Sequence, residues 1–149
     1  MTGTGNGNDG ADAPPARIRV VLVGALPLMR ASMHGILGNA ERIDVVGEAA
    51  TAEDSLGCIR ALGADVVVMD ARLGRASGAE AVDAVLTAAA GVQVVVLSLD
   101  DDPVYESRAF AAGARGYVLA QAAHRDLVSA VRAVAEGSRF GLAHADSRA

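Results

Sequence analysis

Apolar and polar residues alternate in blocks along this chain, and the period of the pattern switches regularly between two and about 3.6. Residues 17–23 form a β-branched run fit for a buried strand. From Pro27 onward Leu28, Met33, Ile36 and Leu37 recur at helical spacing, and Gly38-Asn39 closes the stretch. Residues 43–48 read as a second strand. Thr51 followed by Asp54 makes a capping-box-like start, and Leu56, Ile59 and Leu62 continue on one helical face. Residues 65–70 are a third strand, apolar between two acids. Gly78 and Ala79 lead into a helix carrying Ala81, Val82, Val85 and Leu86, and residues 92–98 give a fourth strand. Asp102-Pro103 is an N-cap and first-turn pair for a helix through Phe110 that stops at Gly113. Residues 115–119 form a short fifth strand. A last helix over 123–136 places Leu127, Val131 and Val134 on one stripe and ends at Gly137.

Five strands thus alternate with five helices, and strands two to four are apolar on both faces. A parallel crossover needs a helix and buries each strand twice, so the expected fold is α/β, a doubly wound five-stranded parallel sheet. The expected domain covers 17–137. Residues 1–16, rich in Gly, Asn, Thr, Asp and Pro, read as a disordered leader, and 138–149 as a fraying tail or the start of a linker.

Composition narrows the chemistry. Hydrophobic residues make up 52% of the 149 and aromatics only 3%, so the core must be aliphatic. The longest apolar runs are too short to cross a bilayer, and no signal peptide opens the chain. A lone Cys58 cannot form an internal disulfide, which agrees with a cytoplasmic setting; it is expected as a small half-buried side chain. The net charge of −5 argues against direct nucleic-acid binding. All 13 basic residues are arginine. Gly3, Gly5, Gly7 and Gly10 precede any strand and so are no phosphate loop. His34, His124 and His144 show no ligand spacing with one another or with Cys58 and are expected at the surface.

In open doubly wound sheets the binding face lies beyond the carboxyl ends of the strands. That singles out residues 24–26, 70–74, 98–102 and 120–121. Asp70 ends the run Val66-Val67-Val68-Met69 at this edge. It reads either as a cap of the following loop or as a carboxylate nucleophile or metal ligand.

Val20-Val21-Leu22-Val23 leading to Pro27-Leu28, Val45-Val46-Gly47-Glu48-Ala49, and Val66 to Asp70 followed by Arg72-Leu73 and Gly78 resemble a bacterial response-regulator receiver. So does Val94-Val95-Val96-Leu97-Ser98 with the Asp100-Asp101-Asp102 run. Residues 112–119 are most similar to the NarL/FixJ branch, whose members usually carry a LuxR-type helix-turn-helix after the receiver. The resemblance implies a flavodoxin-like, CheY-like (βα)5 fold with strand order 2-1-3-4-5. It also implies a phosphoacceptor role for Asp70 and switch roles for Ser98 and Tyr117.

Three departures stand against it. The family's paired acids after strand one, which hold Mg²⁺, fall on Gly24 and Ala25, with Leu26 next; its lysine after strand five falls on Ala120. Gly74 sits where a proline is usual. Phosphoryl transfer to a carboxylate works by positioning and by neutralising charge on the phosphoryl oxygens, and Mg²⁺ is held by oxygen ligands. Arg72 and Arg75 read as solvated loop residues, and Asp100 and Asp101 as part of a solvated helix cap. The expectation is a non-enzymatic, atypical receiver with Mg²⁺ binding lost or weak. It would regulate transcription through a homodimer or a heterodimer with a related regulator, and reach DNA only through a helix-turn-helix domain outside this chain. Two alternatives are a small-molecule sensor with a hollow at Gly24, Ala25, Leu26, Asp70 and Ser98, and a working phosphoacceptor using Asp70.

Overall fold

A computed structural model describes residues 16–71, 78–99 and 101–141. The elements run β1 (Ile18–Val23), α1 (Pro27–Gly38), β2 (Ile43–Ala49), α2 (Ala52–Leu62), β3 (Val66–Asp70), α3 (Gly78–Ala88), β4 (Gln93–Ser98), α4 (Pro103–Ala111) and β5 (Gly116–Leu119). A 3-10 turn (Ala120–Ala122) then leads into α5 (Ala123–Ala135). All pairings are parallel, in the order β2-β1-β3-β4-β5. The doubly wound sheet and its strand order are as the sequence led us to expect.

Each inner strand divides its residues between two cores, because successive side chains point to opposite faces. Val20, Leu22, Val66, Val68, Val95 and Leu97 meet Met33 and Leu37 of α1 and Leu127, Val131 and Val134 of α5. Val21, Val23, Val67, Met69, Val94 and Val96 meet Ile59 of α2, Val82 and Val85 of α3, and Ala109 of α4. Both caps read from sequence form: Thr51 accepts from the Asp54 N–H at 3.0 Å, and Asp102 from the N–H groups of Val104 and Tyr105 at 3.0 and 3.2 Å.

Leu28 departs from its expected place. It is 81% exposed, while Met33 and Leu37 are buried. Five residues of helix carry a side chain about 140° around the axis, so Leu28 cannot share the Met33 stripe; Met29 packs against that core in its stead.

Helix α2 lies close on β2 at Gly47. A methyl group there would overlap the Cys58 Sγ and stand 2.8 Å from Leu62 Cδ1. Cys58 is half-buried as expected, and its sulfur fills the space glycine leaves. Gly47→Val therefore overpacks this contact and lowers stability by roughly 1–3 kcal/mol, measurable as a reduced urea midpoint at unchanged slope. A variant as stable as the parent would show that α2 shifts freely on the sheet.

Candidate functional site

The carboxyl ends of β1, β3, β4 and β5 meet at one edge of the sheet. Asp70 is the last residue of β3 and is only 2% exposed, since Leu97 on β4 is its register partner and β1 lies on its other side. Gly24 follows β1 and is tied to β2 by its N–H, which donates to the Ala49 carbonyl at 3.0 Å. A methyl group on Gly24 would stand 3.4 Å from Asp70 Cβ, 3.7 Å from Arg30 Cγ and 3.8 Å from Met33 Cε. A Cβ at residue 24 would thus sit in ordinary van der Waals contact with the buried acid.

Arg30, in the first turn of α1, was not singled out by the sequence reading. Its guanidinium reaches back to donate to the Gly24 carbonyl and, from Nε, to Glu48 Oε1 at 3.2 Å. A cation is therefore fixed over the β1–α1 junction, between a main-chain oxygen and a carboxylate from β2. Only a neighbour-by-neighbour view of the folded chain could find it, because Arg30 and Glu48 are 18 residues apart.

Ser98 ends β4 and is buried. Its side chain is hydrogen-bonded to the hydroxyl of Tyr117, which is fully buried on β5. Tyr105 of α4 packs edge-on against Tyr117, with ring centroids 6.2 Å apart, and its hydroxyl donates to the Ala71 carbonyl at 3.0 Å. The two phenols thereby link α4 and β5 to the residues flanking Asp70. Burial pushes the Tyr117 ionisation above the ordinary tyrosine value of 10.0, against the opposing Ser98 hydrogen bond. The folded chain then holds that proton more tightly than the unfolded chain does. This contribution to stability is complete below pH 10 and disappears as pH rises through the folded value. Tyr117→Phe should flatten the alkaline loss of stability, read as denaturation midpoints from neutral to strongly alkaline buffer; an unchanged alkaline limb would refute it.

Ala25 is exposed, Leu26 is 51% exposed, and Ala120 sits half-buried at the start of the 3-10 turn. An open groove of about 530 Å³ lies at the opposite end of the strands, beside Arg17, Asp65, Gln93 and Arg132. His34 and His124 are at the surface. Arg72, Leu73, Gly74, Arg75, Asp100, His144 and the leader glycines lie outside the described residues. Among the described residues no three His, Cys, Asp or Glu side chains are grouped to hold a metal ion.

An acid ending the central strand, a buried hydroxyl on the next strand and an inward aromatic beyond it form a recognisable arrangement. Residues 20–132 match the response regulator receiver domain family. The chain belongs to that family. It is 36% identical over 123 residues to the response regulator UvrY of Escherichia coli O6:H1, a match covering 83% of this receiver chain and 56% of UvrY. It is 33% identical over 123 residues to the response regulator GacA of Pseudomonas aeruginosa, covering 83% and 58%. The chain thus spans little more than half the length of these relatives. Among solved structures it is similar to the signal receiver domain of NarL from Mycobacterium tuberculosis, with 31% identity and a TM-score of 0.76 over 83% of this chain and 99% of that one. A LuxR-family two-component response regulator from Aurantimonas matches with 28% identity and a TM-score of 0.79, over 84% and 89%. No described helix of this receiver is long and apolar enough to cross a membrane.

Proposed function

We propose that this receiver is atypical: it regulates transcription through dimerisation and does not depend on Mg²⁺-assisted phosphorylation of Asp70. The observation that carries this reading is what stands beside Asp70. Where the family resemblance puts metal-binding acids there is Gly24, whose missing side chain would stand against Asp70, and the Gly24 carbonyl accepts from Arg30. Mg²⁺ is held by oxygen ligands in near-octahedral geometry and gives up water reluctantly. Asp70, with no second acid at residues 24–25, is a poor donor set for it. Ala120 supplies no cation where the family's lysine would neutralise phosphoryl oxygens, and the chain has no lysine to bring from elsewhere.

The partners that fit are a second copy of this chain or a related regulator. DNA would be bound by a separate helix-turn-helix domain and not by this receiver. Incubation with acetyl phosphate and Mg²⁺ followed by intact-mass measurement should leave the chain unmodified. A stoichiometric phosphoryl adduct on Asp70 would establish the working-phosphoacceptor alternative instead. Light scattering after size exclusion tests the other half of the reading, and a monomer at high concentration overturns it.

A further inference from the structure

The chain does not leave the domain at the end of α5. At Gly137 (φ +92°) it turns back and runs along the outer edge of β5. Phe140 bridges Gly116 in parallel: the Tyr117 N–H donates to the Phe140 carbonyl at 2.8 Å, and the Phe140 N–H to the Arg115 carbonyl at 2.9 Å. Arg115 Nη2 donates to the Gly137 carbonyl at 2.7 Å, securing the turn. Without this segment the outer edge of β5 would present unpaired main-chain groups. The sequence reading of residues 138–149 as tail or linker gave no hint of this pairing, because four residues are too few to show a period.

Side chains pin the segment on both faces of the sheet. Phe140 packs against the core shared with α5. On the other face the Arg139 guanidinium lies 4.3 Å from the centre of the Phe110 ring, a cation–π contact. Gly141 is buried so closely against α4 that a methyl group on it would stand 2.6 Å from Phe110 Cζ and 2.8 Å from Glu106 Oε2. Glu106 is itself 2% exposed.

We propose that residues 138–141 are a strap whose closure on β5 and α4 is coupled to the inward, Ser98-bonded position of Tyr117. One residue carries both ends of the connection. The hydroxyl of Tyr117 meets Ser98 at the carboxyl edge of the sheet, while its main-chain N–H holds Phe140. The Tyr117 ring lies on the α4 side, beside Tyr105, and the strap closes over that side at Phe110 and Glu106. For the ring to swing outward, the strap must first lift. Conversely, a strap pulled away by whatever follows residue 141 opens the ring's environment to water and loosens the Ser98 contact. Coupling of this kind is reciprocal: each end must feel a change made at the other. It holds whether or not Asp70 accepts phosphate, so its failure and the failure of the proposed function are separate results.

Two variants of the full chain test it from opposite ends. Gly141→Val forces the strap off α4, and the readout is the ultraviolet titration of Tyr117. The expected result is a phenol ionisation moved down toward the ordinary tyrosine range. Ser98→Ala leaves the strap sequence intact, and the readout is amide hydrogen exchange at Phe140. Exchange there should be about tenfold faster or more, as expected for local opening of a segment held by few hydrogen bonds. If Gly141→Val fails to fold, Arg139→Ala removes the Phe110 contact more gently and is read in the same way. A Tyr117 titration unmoved by a strap variant that speeds Phe140 exchange, or Phe140 exchange unmoved in Ser98→Ala, reduces the strap to a passive edge cover and overturns the proposal.

Discussion

Gly24→Asp, Ala25→Asp and Ala120→Lys made together should turn this receiver into a magnesium-dependent phosphoacceptor. The backbone tolerates the first atom of the key change, since the nearest atom to a Cβ on Gly24 is Asp70 Cβ at an ordinary 3.4 Å. Without metal, new acids beside the buried Asp70 repel it, and the melting temperature falls below that of the parent. With Mg²⁺ the sign reverses. A ligand at a hundredfold over its dissociation constant stabilises the native state by about 2.7 kcal/mol, roughly 10 °C for a domain of this size. The parent should show no such response. Neutralising the phosphoryl oxygens should then speed adduct formation from acetyl phosphate by at least about a hundredfold. Parent and triple variant phosphorylated at equal rates would mean that the residues beside Asp70 do not limit its chemistry.

The largest loss of stability is expected at Leu127→Ala. Leu127 is fully buried on α5, between the sheet and α1. Truncation removes transfer energy and leaves a cavity that the strands, buried on both faces, cannot collapse to fill; the cost is about 2–5 kcal/mol. Leu28→Ala deletes the same atoms from a side chain that is 81% exposed and should change stability by less than about 0.5 kcal/mol. Chemical denaturation of the two variants side by side checks both values. Equal losses would contradict the placement of α1.

The order of elements was legible in the sequence because it is written locally. A strand buried on both faces must be a continuous apolar run, and an amphipathic helix must repeat every 3.6 residues, so 66–70, 94–97 and 123–135 announced themselves. Parallel topology placed Asp70 and Ser98 at the binding edge, whereas Tyr117 and the meaning of the small residues at 24, 25 and 120 came only from the receiver resemblance. Leu28 failed because a short amphipathic stretch admits more than one stripe.

Other features were decided only by tertiary structure. Arg30 meets Glu48 because β1 and β2 lie side by side, with a register shift between Val20 and Val21 setting where β2 ends. Tyr105 finds the Ala71 carbonyl across 34 residues. Phe140 completes the edge of β5, and Gly141 closes over Glu106. Each of these contacts joins segments whose separation along the chain carries no periodic signal. Patterning determines which side of an element faces the core, whereas the distance and register between elements are fixed only when the whole sheet is assembled and its helices settle into the remaining space.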